Sequence, residues 1–287
     1  MAHCTVAEAE AILDKQFPVL DKGFVRLVDY LGGDQRIVQS ARVSYGAGTR
    51  TYREDHGLIH YLMRNGHTSP FEQVVLTFHT KMPIFVARQW VRHRTARLNE
   101  ISGRYSVMEE EFYVPASGEI AVQSSENKQG RAAEPVDAET ARRIITAFKE
   151  EQSRSYGAYQ NLLEQGIARE LARVNLPLSL YTQWYWQIDL HNLFHFLALR
   201  MDTHAQYEIR AYAHVMLDIA RAVCPIATEA FEEHVLGGVQ LSRSESAAVR
   251  GVIGVVADAE QVQQAGRDAG LSGKALERLM RKLIGDC

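Results

Sequence analysis

Residues 74–94 read Val-Val-Leu-Thr-Phe-His-Thr-Lys-Met-Pro-Ile-Phe-Val-Ala-Arg-Gln-Trp-Val-Arg-His-Arg. In the first part, Val74, Leu76, Phe78 and Thr80 alternate with Val75, Thr77, His79 and Lys81. That period of two is the pattern of a strand with one buried and one wetter face. It suits an antiparallel sheet, which packs one face on the core. Pro83 then fits the first turn of a helix, where its missing N–H is not needed. This helix is expected to end near Arg94. An arginine-rich segment thus falls at a helix C-terminus and in the loop beyond it, where the helix dipole favours cations.

Working outward, Phe24 to Tyr30 reads as a strand. Gly33-Asp34 opens a helix running to about Ser44, with Asp34 as its N-cap. A second helix runs from about Arg53 to Asn65 and stops at Gly66, a C-cap glycine. The polar stretch 116–137, with Glu134-Pro135 near its end, reads as a surface loop or insertion. A long helix from about Ala138 to Gln165 follows. A short helix around Ala172, Pro177 and an aromatic strand-like run from Leu178 to Ile188 come next. Two helices then span about Leu190–Met201 and Ala205–Val223. Leu236-Gly237-Gly238 reads as a hinge, and Ser272 to Ile284 as a final amphipathic helix. The expected class is α/β (α+β), with a mixed, mainly antiparallel sheet flanked by long helices. Two parts are expected, residues 1–235 and a helical extension, residues 236–287.

The chain has 287 residues, 46% hydrophobic and 23% charged, the balance of a globular protein of one or two domains. No apolar run approaches the roughly 18 residues that span a bilayer. The first residues lack the basic and apolar regions of a signal peptide. Cys4, Cys224 and Cys287 are too few and too far apart for a disulfide framework or a Cys-x-x-Cys metal site. A reducing cytoplasm is the expected setting, with Cys224 in a packing role.

Between Arg88 and Arg104 lie five arginines and His93, with Glu100 as the only acid, in a chain of net charge −3. A cationic cluster in an acidic chain is local chemistry, not general affinity for polyanions. Arginine presents a planar fork of donors that suits phosphate oxygens. Ser102 and Gly103 beside Arg104 let backbone amides approach the same anion. A solvated basic helix end is one alternative. A nucleic-acid-binding module using the arginines, His93, Trp90 and Tyr105 is another, although the net charge opposes it.

Arg92-His93-Arg94, followed after seven residues by Ser102, resembles the signature of the flavin-dependent thymidylate synthases. The resemblance extends from about Ser44 to about Pro225. Arg97 departs from it, standing where family members commonly carry a small residue such as serine. His67, Ser69, Pro70, Phe71 and Glu72 resemble the family's His-x-(Thr/Ser)-Pro-Phe-Glu. Arg200-Met201-Asp202-Thr203-His204 matches its Arg-x-Asp-x-His. The resemblance implies conversion of dUMP to dTMP. It implies 5,10-methylenetetrahydrofolate as one-carbon donor, non-covalent FAD as hydride donor and NADPH as reductant of the flavin. It also implies a homotetramer with active sites at subunit interfaces, without nucleic-acid or membrane partners or a resident metal. A flavoprotein reductase without methyl transfer is the nearest alternative.

Carried over by position, the resemblance places FAD against Ser44, His67, Ser69, Glu72, Arg92, His93, Arg94, Glu100, Asp189, Leu190, His191 and His195. It places dUMP against Gln89, Trp90, Val91, Arg92, Glu100, Ile101, Ser102, Gly103, Arg104, Arg173 and Arg200. Arg200 matches the substrate-activating arginine. Because arginine stays protonated, such a role is electrostatic. A lone serine hydroxyl is a weak nucleophile without a base, so Ser102 with Gly103 and Arg104 reads as a phosphate cradle.

On a helix, His191 and His195 share one flank of an apolar stripe formed by Leu190, Leu193, Phe194, Leu197 and Met201. Arg200 lies roughly half a turn round on the other flank. The histidines can be read as zinc ligands helped by Asp202 or Glu208, as ordinary half-buried residues, or as part of a flavin site. The family more often has amides or an arginine there. Two flanks that both serve catalysis most simply serve different copies of the site in an oligomer.

Overall fold

The computed structural model describes residues 5–43, 52–125 and 127–284. Its contacts divide the chain into two units, Met1–Gly237 and Gly238–Cys287. The first unit begins with α1 (Ala7–Glu10), β1 (Gln16–Val19), β2 (Gly23–Leu31), α2 (Asp34–Arg42) and α3 (Tyr52–Arg64). It continues with β3 (Val75–Pro83), α4 (Ile84–Trp90), β4 (Arg97–Glu100) and a small hairpin, β5 (Ala121–Gln123) and β6 (Arg131–Pro135). Then come α5 (Ala138–Glu164), α6 (Arg169–Ala172), β7 (Tyr181–Asp189), α7 (Leu190–Arg200), α8 (Tyr207–Val223) and α9 (Pro225–Phe231). A π-helical turn, Glu232–Leu236, ends the unit. The second unit holds α10 (Arg243–Val256), α11 (Ala259–Asp268) and α12 (Gly273–Leu283). No described helix is long and apolar enough to cross a membrane.

The main sheet has the order β1-β2-β3-β7-β4, and each of these pairings is antiparallel. The alternation in β3 turns Leu76, Phe78, Thr80 and Met82 inward, while its partner β7 buries Thr182, Trp184, Trp186 and Ile188. In β2 the register shifts between Leu27 and Asp29. The extra residue reverses the alternation, so Val25, Leu27 and Tyr30 all stay buried. α4, α7 and α8 cover this face. Trp90 is its anchor, with ring centroids 5.6 Å from Trp184, 5.3 Å from Trp186, 4.9 Å from Phe196 and 5.8 Å from Tyr212. Truncating a buried ring of this kind costs about 3–5 kcal/mol. The opposite face is polar: Arg26 and Gln183 each lie 3.0 Å from a ring nitrogen of His79, whose ring stacks on Tyr185.

Several elements differ from the expected ones. The helix after Pro83 ends at Trp90, not Arg94, because the chain tightens into a turn in which the His93 N–H donates to the Trp90 carbonyl at 3.0 Å. That turn feeds β4, an exposed edge strand whose composition gives no alternating signal. The polar stretch 116–137 contains the β5–β6 hairpin, and Arg131 reaches from it to the buried Glu208 at 2.6 Å. Asp34 does not cap α2. Its carboxylate accepts from the Ile226 and Ala227 N–H groups at 2.8 and 3.0 Å, and so caps α9, far along the chain. Gly66 does adopt the left-handed conformation, φ 69°, that ends α3.

Candidate active site

His93 is the hub of the site. Arg200, at the end of α7, donates from Nε to His93 Nε2 at 2.9 Å and from Nη2 to the Gln89 carbonyl at 3.5 Å. His93 packs edge-on against Phe196 and lies 6.0 Å, ring to ring, from His195. A ring nitrogen that accepts from a guanidinium must be unprotonated. Burial, then the Arg200 charge, then His195 hold His93 at about 4, so it is neutral at pH 7. Burial and the neighbouring Arg92 charge lower Arg200 in turn. The Gln89 side chain donates to Gln206, which ties the end of α4 to the start of α8. Among the described residues, no carboxylate lies within ion-pair distance of Arg200, Arg92 or Arg94.

Beside this hub is a groove of about 250 Å³ between the turn before β3 and α7. Phe71, Phe194 and Phe231 supply apolar wall, and His67, His191 and His195 supply polar edges. His67 stacks on Tyr61 at 5.8 Å. The Phe71 N–H donates to the Thr68 carbonyl, and the Thr68 hydroxyl donates to Glu72, so the turn carrying Ser69 is held by its own hydrogen bonds. His195 belongs to both hub and groove. The two flanks of α7 are therefore closer in effect than the helical period implies, because His93 touches both.

A third group surrounds Ser102. The Ser102 carbonyl accepts from the Tyr105 and Ser106 N–H groups, and its hydroxyl accepts from the Arg104 N–H at 3.3 Å. Among the described residues its partner is thus a backbone amide, not a base. Gly103 is buried, and a Cβ there would lie 2.9 Å from Met108 Sδ and 3.0 Å from Arg173 Cδ. Only glycine lets Arg173 approach this turn. Arg104 Nε lies 3.3 Å from Glu170, both side chains 56% exposed. Arg169 donates to the Tyr105 carbonyl at 3.0 Å. Glu100 accepts from the buried Thr182 hydroxyl at 2.6 Å, and the Ile101 N–H donates to the Gln183 carbonyl. No hydrogen bond or ion pair joins Ser102, Gly103 or Arg104 to Arg200 among the described residues.

Some residues named from sequence sit where their side chains do other work. Trp90 and Leu190 are fully buried in the core. Asp189 caps α7: it accepts from the Asn192 N–H at 2.9 Å and the Asn192 amide at 2.7 Å. Val91 and Ile101 are partly exposed. Ser44 lies outside the described residues. The zinc reading of His191 and His195 gains no third ligand: Asp202 pairs with His204, and Glu208 with Tyr113 and Arg131. Gln206, Arg169 and Glu170 were not singled out from sequence. Each acts by a contact across the fold, with no local motif to mark it.

A family profile described as thymidylate synthase complementing protein matches residues 26–226. The chain is 62% identical to the flavin-dependent thymidylate synthase of Treponema denticola, over 94% of this chain and 98% of that one. The chain belongs to the flavin-dependent thymidylate synthases. A second relative of the family, from Thermus thermophilus, is 53% identical over 93% of this chain and 96% of its own length. Among solved structures, a UMP/dUMP methylase from Streptomyces cacaoi bound with 5-Br dUMP matches at a TM-score of 0.70. It is 32% identical and covers 76% of this chain and 98% of its own.

Proposed function

We propose that the chain catalyses the reductive methylation of dUMP to dTMP, with 5,10-methylenetetrahydrofolate as one-carbon donor, FAD as hydride carrier and NADPH as reductant. It does so in the cytoplasm as a homotetramer. The observation that carries this reading is the half-buried, un-neutralised Arg200 guanidinium, aimed by a neutral histidine. Two of its donors are directed to His93 and the Gln89 carbonyl, and the remaining N–H groups are available to a ligand. Pointed at the O2 and N3 edge of a uracil, they stabilise the N3-ionised form and so raise electron density at C5. Arg200 is the catalytic residue. Its role is electrostatic, and His93 positions it.

The residues present fit a flavin. The groove has apolar aromatic walls for a planar ring and histidine edges for its polar rim, and Arg92 and Arg94, which have no carboxylate partner among the described residues, suit its diphosphate. His67, Ser69, Glu72, His191 and His195 would hold the ring portion, with Asp189 acting through the α7 cap and Glu100 through Thr182. When bound, the flavin supplies the hydride that the methylation consumes. The Ser102–Gly103–Arg104 turn and Arg173 cradle the nucleotide phosphate, with Gln89, Val91 and Ile101 lining the approach. Residues 1–235 form the catalytic domain, and residues 236–287 are an extension of it.

Two features support shared sites. The groove is smaller than the roughly 300–1,000 Å³ of pockets that enclose a drug-sized ligand, so one chain supplies part of a wall. Among the described residues, the Ser102 turn and Arg200 also share no hydrogen bond or ion pair within one chain, although both serve one nucleotide.

The decisive test is tritium release from C5-labelled dUMP, run with and without methylenetetrahydrofolate and NADPH. Release coupled to dTMP formation and dependent on both co-substrates is expected. NADPH oxidation without release points to a reductase instead. Mixing inactive Arg200→Ala with inactive His195→Ala chains tests the shared site: partial recovery of activity is expected, and no recovery despite proven exchange rejects it.

A further inference from the structure

Where α3 meets α9, two histidines one turn apart face a glutamate. The His56 and His60 rings stack with centroids 4.3 Å apart. Glu229 places both carboxylate oxygens 3.2 Å from His56 Nε2, and one of them 3.7 Å from His60 Nε2. The three donor atoms all lie within 4.8 Å of one another. We propose that His56, His60 and Glu229 form a site for one zinc-class divalent cation, with His234 as the outer partner that orients His60.

The geometry is that of a ligand set awaiting modest contraction. Zinc holds imidazole and carboxylate at about 2.0–2.2 Å, which sets donors of a tetrahedral shell about 3.4 Å apart. Two of the three spacings already bracket that value. The third, between the two imidazole donors, is the one that contracts, and Glu229, 59% exposed, provides the path of entry. The donor set is two imidazoles and one carboxylate with no thiolate. It suits zinc, cobalt or nickel rather than calcium or magnesium, which prefer all-oxygen shells. Three protein ligands leave the fourth position to water.

His60 supplies the more telling detail. Its Nδ1 lies 3.1 Å from His234 Nε2, while its buried Nε2 has no hydrogen-bond partner. In the tautomer whose Nδ1–H donates to His234, Nε2 carries the lone pair and faces the Glu229 carboxylate. Two electron-rich groups turned toward each other in a half-buried place repel, and a cation between them reverses the sign. Ligating imidazoles are held this way, with the second ring nitrogen donating to an outer partner.

The π-helical turn gives the site a location of consequence. It sets His234 against His60, and the next residue, Val235, lines the histidine groove. A bound cation would fasten α3 to α9 beside that groove. His56 and Glu229 are 173 residues apart, so no linear spacing marks the set.

The test uses tag-free, full-length protein stripped of metal and titrated with zinc or cobalt alone. One cation per chain is expected, with the visible bands of four-coordinate cobalt and a zinc-dependent rise in Tm. His60→Gln and Glu229→Gln should each weaken zinc binding by about tenfold or more. His214→Gln, which alters an exposed histidine on α8, should leave binding unchanged. X-ray absorption of the wild-type zinc complex should show two imidazoles, a readout that stands even if a variant fails to fold. Absence of stoichiometric binding by the wild type, unchanged affinity in both folded variants, or a shell without two imidazoles would each overturn the proposal.

Discussion

Arg200 and Arg104 both face the nucleotide in the proposed reaction, yet the fold holds them in opposite ways. Arg200 is half-buried, oriented by neutral acceptors, and has no carboxylate partner among the described residues. Arg104 is 56% exposed and faces the carboxylate of Glu170. A guanidinium that must stabilise charge developing on a base needs its own charge undiminished and its direction fixed, in a place where water screens little. One that gathers a phosphate works from the surface, because the phosphate is charged before and after the reaction. Neutral orientation therefore marks the arginine that acts on the transition state, and ion pairing marks the one that acts on binding.

The largest expected effect tests that distinction directly. Arg200→Ala should lower kcat by about 10²–10³-fold, the cost of removing one preorganised donor, while flavin content stays unchanged. Steady-state kinetics with absorbance of the bound flavin measures both. A variant with near-normal kcat and raised KM would place Arg200 in the same class as Arg104 and dissolve the comparison.

The second effect concerns the histidine that aims Arg200. His93 is depressed from 6.5 to about 4 by burial, the Arg200 charge and His195. Its unfolded form therefore takes up a proton first as pH falls. The stability it lends is complete above about pH 6.5 and declines as pH falls toward 4, where the Arg200 bond also breaks. NMR titration of the His93 ring should give a midpoint near 4 in the wild type. In Arg200→Ala the midpoint should move upward but stop short of 6.5, because burial still acts. A wild-type midpoint near 6.5 would mean that a charged imidazolium faces Arg200, which would break the claim of neutral orientation.

Much of this arrangement was legible in the chain, and the reason differs by element. β3 and α7 declare themselves, because a single period decides which side chains go inward. Arg92-His93-Arg94 and Ser102-Gly103-Arg104 were readable as chemistry because the relevant residues are adjacent. β4 was not readable: its four residues are all exposed, and only the pairing with β7 makes them a strand. Asp34 was misread, because a cap motif looks the same whether it serves the next helix or one that begins 191 residues later at Pro225. The Arg200–His93 bond was also hidden, since its partners are 107 residues apart. Trp90 was given to the nucleotide by its neighbours in the motif, but its side chain is fully buried in the core. A linear motif does not separate side chains that point out from those that point in.

A smaller effect is expected at the surface arginine. Arg104→Ala should weaken dUMP binding by about tenfold, near 1.4 kcal/mol, at the low end for a charge-assisted bond because the group is exposed. Flavin affinity should be unchanged, and uridine, which lacks the phosphate, should be indifferent to the substitution. Isothermal titration with the three ligands separates these cases. Equal losses for dUMP and FAD would assign the cradle to the other ligand. A hundredfold loss in kcat would make Arg104 an arginine of the Arg200 kind.

The smallest effect is also the sharpest, because its sign is opposite. If Glu170 holds Arg104 only until a phosphate arrives, the two anions compete for one guanidinium. An exposed ion pair of this kind is worth about 0.2–1 kcal/mol. Glu170→Gln should therefore tighten dUMP binding by up to about fivefold and leave kcat alone. The gain should shrink as salt rises, since exposed charges are screened over a Debye length of about 8 Å at physiological ionic strength. Double substitution with Arg104→Ala should remove the gain entirely, because no guanidinium would remain to be released. The alternative is that Glu170 positions Arg104 for the phosphate, as His93 positions Arg200. In that case Glu170→Gln would weaken dUMP binding, and the two arginines would differ only in exposure and not in kind. The direction of one KM change thus decides whether the fold uses its carboxylate as a competitor or as a guide.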